Sequence, residues 1–207
     1  MIIVGVDYSM TCPALCFMNP EWTVNFKNAG FNYLSAKPSE QKEWDVGAAL
    51  MVGKAIPEYT NNVDRFSKIA NQLLLPWMVQ AEKEPIKFFI EGYSMGSKGK
   101  VFDIAEHAGM LKFFLFHYGI EFEVVPPTVI KKFATGKGNA NKEAMHRAFV
   151  AETGVDLMTT MFPGRTRVSS PVSDIVDSYY IAKYGVYSCG ASVVIDPMVL
   201  KEHVTKG

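Results

Sequence analysis

The sequence predicts an α/β protein, a mixed central sheet flanked by helices, and three observations predict it. Ile2-Ile3-Val4-Gly5-Val6 is a nearly continuous apolar run, the pattern of a strand buried on both faces. A second β-prone run, Ile86 to Ile90, lies beyond a long helical pattern. Between them, short apolar segments separated by turn signals read as an antiparallel meander. Both long runs end in an acid, Asp7 and Glu91, and the carboxyl ends of strands are where open α/β sheets usually place their chemistry.

Taken in order, Cys12 to Met18 and Trp22 to Phe26 are expected strands, with Asn19-Pro20 turning between them. Gly30 to Leu34 completes the meander. Residues 35 to 60, interrupted by Pro38, Gly47, Gly53 and Pro57, read as an irregular excursion with room for one short helix and not as a second domain. Asn62 to Glu82 is helical in pattern, with Asp64 as N-cap and apolar residues from Phe66 to Trp77 at three- and four-residue spacing. Pro76 is expected to kink or split it. Glu91 opens a loop with Gly92, Gly96 and Gly99. Val101 to Tyr118 is the clearest helix, closed by Gly119. Its Gly109 costs about 1 kcal/mol against alanine, which suggests close packing there. Glu121 to Val125 is a strand, ended by Pro126-Pro127. Thr128 to Phe133 is a short helix, and Asn141 caps another running to Thr153. Residues 154 to 171 read as loop. A last helix spans about Pro171 to Tyr187 with Ser173 as its cap, and Ser192 to Ile195 is a possible strand in the tail.

Composition narrows the classes. A chain of 207 residues suffices for one domain with a sizeable core, so residues 1–207 are expected to form a single unit. Lys and Arg number 21 against 21 Asp and Glu, so any nucleic-acid argument rests on local clusters. Cys12, Cys16 and Cys189 are the three cysteines; with no further soft ligand nearby they read as buried free thiols in a reducing compartment, not a zinc site. His107, His117, His146 and His203 lack metal-like spacing. No basic leader precedes the first strand, and no apolar run approaches the roughly 20 residues a membrane span needs. The expectation is a soluble intracellular protein.

A buried carboxylate requires a cation. On its own stretch Asp7 serves equally well as a turn cap, with Gly5 and Ser9 leaving room for a ligand to come close. Asp174 and Asp177 are three apart on the last helix and share a face. They also suit a helix amino terminus, where the dipole favours acids. Together the two strand-end acids and the helical pair form a set of hard oxygen donors suited to one or two magnesium ions, which stabilise both oxygens of an in-line phosphodiester displacement.

Three blocks resemble the RuvC-type Holliday junction resolvases of the RNase H-like superfamily. The first is Gly5-Val6-Asp7-Tyr8-Ser9. The second is Phe89-Ile90-Glu91-Gly92 with Ala105-Glu106-His107-Ala108-Gly109-Met110-Leu111 after it. The third runs from Val129-Ile130-Lys131-Lys132-Phe133-Ala134-Thr135-Gly136-Lys137-Gly138-Asn139-Ala140-Asn141-Lys142 to Asp174-Ile175-Val176-Asp177-Ser178. The resemblance implies an RNase H-like fold, a mixed five-stranded sheet whose first three strands are antiparallel. It implies Asp7, Glu91, Asp174 and Asp177 as catalytic metal ligands for two Mg2+ or Mn2+ ions per site. It also implies a homodimer that cuts four-way or branched DNA symmetrically, in the cytoplasm of a bacterial cell, with phage-encoded variants known. Two features depart from the family: Ser94, between Tyr93 and Met95, stands where the family's junction-wedging aromatic is found, and the excursion at 35 to 60 exceeds the family core.

Local charge fits DNA. Lys131, Lys132, Lys137, Lys142 and Arg147 cluster with one acid, Glu143; Lys98 and Lys100 follow Glu91; Arg165 and Arg167 precede the last helix. Such groups hold phosphates. Ser9 and Tyr93, at the two strand ends, are counted among the DNA-facing residues with Lys98, Lys100, Lys132, Lys137, Lys142, Arg165 and Arg167. The competing readings are an RNase H-type or structure-specific nuclease without junction preference, an actin-like or sugar-kinase-type ATPase, and a non-catalytic junction binder. The chain lacks the second phosphate loop of the ATPases, and its full set of four acids argues against the last.

Overall fold

The structure is a computed structural model and describes residues 1–21, 25–46, 49–93 and 101–190. The β-branched opening run forms β1 (Ile2–Asp7), followed by β2 (Ala14–Met18) and β3 (Gly30–Ser35). β1 pairs antiparallel with β2, and β2 pairs antiparallel directly with β3, where the expected meander placed another strand between the last two. Phe26, expected to end a strand, instead opens a 3-10 turn (Phe26–Asn28) capped by the Asn25 side chain; residues 22–24 of that expected strand lie outside the described residues.

Residues 35 to 60 are a correction. A short 3-10 turn (Pro38–Glu40) leads into β4 (Glu43–Val46), which pairs antiparallel with β5 (Ala49–Ala55), and β5 runs parallel beside β3. The alternation was present: Val46, Ala49 and Met51 are buried while Glu43, Asp45 and Leu50 are exposed, the period of two of a strand with one wet face. Gly53 disguised it. A Cβ there would lie 2.2 Å from the Glu40 carbonyl oxygen, so the glycine marks close packing, not a loop.

β6 (Ile86–Glu91) lies parallel to β1, and β7 (Glu121–Val125) parallel to β6. Among the described residues the sheet has seven strands, ordered β4-β5-β3-β2-β1-β6-β7; the class is as expected and the hairpin accounts for the added strands.

Helices cover both faces. α1 (Asn62–Ala81) and α2 (Val101–His117) lie on one, over Val4, Val6, Leu15, Phe88 and Ile90. α1 is unbroken at Pro76; the proline sits on the exposed side, where water can satisfy the carbonyl it leaves unpaired. Asn61, not Asp64, is its cap, accepting from the Asp64 backbone N–H at 2.9 Å. The other face carries α3 (Pro127–Thr135), α4 (Lys142–Thr153, capped by Asn141), α5 (Leu157–Met161) and α6 (Val172–Ser188). α5 falls in the segment expected as loop, where Asp156 caps it through Met158 and Thr159. α6 is almost wholly enclosed, with Ile175, Val176, Tyr179, Tyr180 and Ile181 all buried. Ser173 is not its cap but lies in its first turn, after Pro171. The tail strand expected at 192 to 195 lies outside the described residues.

Cys12 and Cys16 are buried free thiols, whereas Cys189 is exposed. His107 and His146 are buried, and His203 lies outside the described residues. No described helix is long and apolar enough to cross a membrane.

Candidate active site

Strand alternation sets the site. Ile3 belongs to the core under α6, Val4 and Val6 to the core under α1 and α2, so Asp7, four residues beyond Ile3, projects toward α6. On β6, Phe89 faces α6 in the same way, and Glu91 follows it by two. Gly5 pairs with Phe89 and Val6 with Ile90, so Asp7 and Glu91 end neighbouring strands in the same register. α6 then brings Asp174 and Asp177 across the strand ends. Its approach depends on Gly5, where an added Cβ would lie 2.6 Å from the Ser178 carbonyl oxygen. Gly5 therefore makes room for a helix, not for the ligand that the sequence suggested.

All four acids line one cavity of about 550 Å3, together with Ser9, Lys131, Asn141 and Lys142. Asp174 is buried and held by two hydroxyls: Ser9 Oγ donates to its Oδ1 at 3.0 Å and Ser173 Oγ to its Oδ2 at 3.1 Å. Ser9 in turn accepts from the Cys12 N–H at 3.2 Å, and Ser173 from Lys142 Nζ at 3.3 Å. Ser9 thus aims an acid, with its one proton already committed. Lys142 reaches into the same network.

Crowding like charges in a buried place keeps protons on them. Burial, then Asp174, Glu91 and Asp177, hold the Asp7 carboxyl well above its ordinary range, against Lys142. Burial pushes Asp177 up to about 7, reinforced by Glu91 and Asp174 and opposed by Lys131 and Lys142. Glu91 is also raised by burial, with Lys131 opposing and Asp174 adding. Four acids against two lysines leave a site short of positive charge. Its hard oxygen donors fit a divalent cation such as magnesium. Among the described residues, no three Asp, Glu, His or Cys side chains are already gathered as a metal cage.

The basic residues divide. Lys131, next to the expected Lys132, is the one that lines the cavity; Lys132 is exposed on the outer side of α3. Lys137 is exposed in the loop between α3 and α4, and Arg167 is exposed before α6. Arg165 is otherwise engaged: its guanidinium pairs with buried Glu40 and donates to the Ser170 carbonyl at 3.1 Å. Lys98, Lys100 and the wedge position Ser94 lie outside the described residues. Tyr93 is half-exposed, accepting from Lys112 Nζ at 3.0 Å. It lines a second cavity of about 360 Å3 that shares Asp7, Ser9 and Glu91 with the first but opens toward α1 and α2. Arg65 lines it too, donating to the Met10 carbonyl. No sequence pattern marked Arg65, whereas Lys131 stood in the basic cluster, one residue from the Lys132 counted as DNA-facing.

No family model matches the sequence, and no curated protein matches it. Solved structures do match. RuvC from Thermus thermophilus superposes with a TM-score of 0.52 at 13% identity, over 92% of this chain and 98% of that one. This is the RuvC fold. RuvC from T. thermophilus in complex with a Holliday junction substrate gives 0.53 at 13% identity, over 91% and 94% of the two chains. The yeast mitochondrial Holliday junction resolvase Ydc2 gives 0.50 at 12%, over 87% and 75%. The expected resemblance to RuvC-type resolvases is therefore borne out in architecture. The RuvC fold extends across nearly the whole described chain, and the β4–β5 hairpin belongs to the same sheet.

Proposed function

We propose that this chain is a metal-dependent endonuclease that resolves four-way or otherwise branched DNA by paired phosphodiester cuts. One observation carries the reading: Asp7, Glu91, Asp174 and Asp177 line a single cavity edged by Lys131 and Lys142, on a RuvC fold. The four carboxylates would hold Mg2+ or Mn2+, two ions per site, and the chemistry so supplied is stabilisation of the attacking and leaving oxygens. Lys131 and Lys142 attract the scissile phosphate. Ser9 and Ser173 fix the Asp174 rotamer, so that one acid is oriented before substrate arrives.

A junction requires two symmetric cuts, and a two-fold dimer supplies two sites. α2 is the interface we favour. Phe102, Phe113 and Phe116 are 85%, 58% and 79% exposed, and with Gly109 they fall on one stripe at spacings of seven, four and three residues. Among the described residues nothing lies within 4 Å of a Cβ built on Gly109, so they do not supply the close packing suggested by the sequence, and the stripe has room for a partner copy. Sedimentation of Phe113→Asp, monomeric where wild type is dimeric, tests this. The cytoplasm of a bacterial cell, with a host or phage gene as the source, is the compartment consistent with this substrate.

The deciding experiment compares a synthetic four-way junction, a linear duplex and an RNA–DNA hybrid, in magnesium and in EDTA. Paired nicks confined to the junction and to magnesium are expected. Preferential cutting of the hybrid would transfer the assignment to an RNase H-type nuclease.

A further inference from the structure

The hairpin added beside β3 is tied to the start of the acid-bearing helix. Glu40, 2% exposed, accepts from Ser35 Oγ at 2.6 Å, from Lys37 Nζ at 3.2 Å and from the Arg165 guanidinium. Burial pushes its carboxyl up, but these donors outweigh that and hold it below its ordinary range. The same guanidinium lies 3.8 Å from the Phe162 ring centroid and donates to the Ser170 carbonyl. Phe162 meets Trp44 of β4 edge-on at 5.3 Å. Trp44 Nε1 donates to the Tyr33 hydroxyl at 2.9 Å, which donates to the Glu40 carbonyl at 2.7 Å. Gly53 of β5 allows that approach, since a Cβ there would meet both Glu40 and Tyr33.

This network ends at the acids. Ser170 immediately precedes Pro171, and α6 opens with Val172, Ser173 and Asp174. Arg165 is held at one end by a carboxylate of the hairpin segment and at the other by the backbone that launches α6. A guanidinium suits this because its planar fork donates in two directions at once.

We propose that the hairpin segment is a positioning clamp for the amino terminus of α6, with Arg165 as the positioning residue. Through Ser170 it sets where Ser173 and Asp174 stand relative to Asp7 and Glu91. The clamp touches no reacting atom. Its effect on cleavage rests on the nuclease reading above, while its effect on α6 does not.

The test uses the full chain as Arg165→Gln and, as a gentler variant, Glu40→Gln. Hydrogen–deuterium exchange is read over 165–177 and over α1, junction affinity in EDTA at several salt concentrations, and single-turnover cleavage in magnesium. Both variants are expected to exchange faster over 165–177 with α1 unchanged. Cleavage should fall by about tenfold or more, since small misplacements of reacting groups are costly, and affinity should stay within about twofold with an unaltered salt slope. Non-additivity in the double variant would mark one network. Reduced affinity with a salt slope smaller by about one, and unchanged exchange, would make Arg165 a phosphate contact and overturn the clamp. Uniformly faster exchange, α1 included, would overturn it in favour of general core stability. If wild type cuts no branched DNA the nuclease reading fails, and the exchange profile still decides the clamp.

Discussion

Gly5 and Ala182 meet backbone to backbone: a Cβ built on Gly5 would stand 2.1 Å from the Ala182 nitrogen. That contact seats α6 on β1 and so fixes the distance between the acids of the helix and the acid of the strand. Gly5→Ala must push the helix away. Overpacking of this kind costs about 1–3 kcal/mol, and here the obstacle is backbone. Denaturant unfolding should show at least that loss, and cleavage per folded molecule should fall further than stability does. A Gly5→Ala protein that is fully stable and active would mean α6 does not depend on this contact.

Asp7→Asn and Glu91→Gln remove charge with little change of shape. Hard-cation affinity should drop, and nicking in magnesium should disappear. DNA affinity in calcium or EDTA should hold or improve, because an acid near phosphate is lost. Gel shift and strand cleavage on one four-way junction read both. Wild-type cutting by Asp7→Asn would end the metal-nuclease assignment, and joint loss of binding and cutting would make Asp7 a structural residue.

Neighbouring lysines should behave differently. Lys131 faces the acids and Lys132 faces water. Lys131→Ala is expected to slow cleavage by about tenfold or more, as when a charge-stabilising donor is removed, with Lys132→Ala changing chemistry little. Equal rates for the two variants would detach the cavity from the reaction.

Asp177 supplies a pH signature. Its carboxyl is held at about 7 against an ordinary 3.8, chiefly by burial, and Asp7 and Glu91 move the same way. Between pH 4 and 7 the folded chain keeps a proton that the unfolded chain has released. That contribution to stability is complete below about pH 4 and is lost as pH rises through 7, at no more than ~1.4 kcal/mol per pH unit for one group. Thermal unfolding in EDTA should therefore show Asp177→Asn stabilised over wild type at pH 8 and not at pH 4. Magnesium should stabilise wild type more at pH 8 than at pH 5, where protons compete for the same oxygens. An identical pH slope in Asp177→Asn and wild type would refute the account.

Much of this was legible in the chain. The two strand-end acids were readable because continuous apolar runs announce buried strands, and the Asp174–Asp177 pair because three-residue spacing keeps side chains on one helix face. The hairpin was not, since its glycine reads as a break until the packing of Glu40 and Tyr33 against it is seen. The pairing of Arg165 was hidden for a related reason: charge near a motif suggests phosphate, and its partner Glu40 is 125 residues away in sequence. Lys131 against Lys132 is a question of helix phase, which depends on how α3 docks, and no local pattern decides it.

The three thiols give the molecule a chemical clock. Cys189 is exposed, while Cys12 is 3% exposed and its backbone N–H is bound to Ser9. Burial, with Asp174, Glu40 and Asp7 adding, holds the Cys12 thiol well above its ordinary range, and only a thiolate reacts readily. In the closed protein, alkylation therefore stops at Cys189. The rate at which Cys12 is then modified across the population measures how readily the turn beside Asp7 opens.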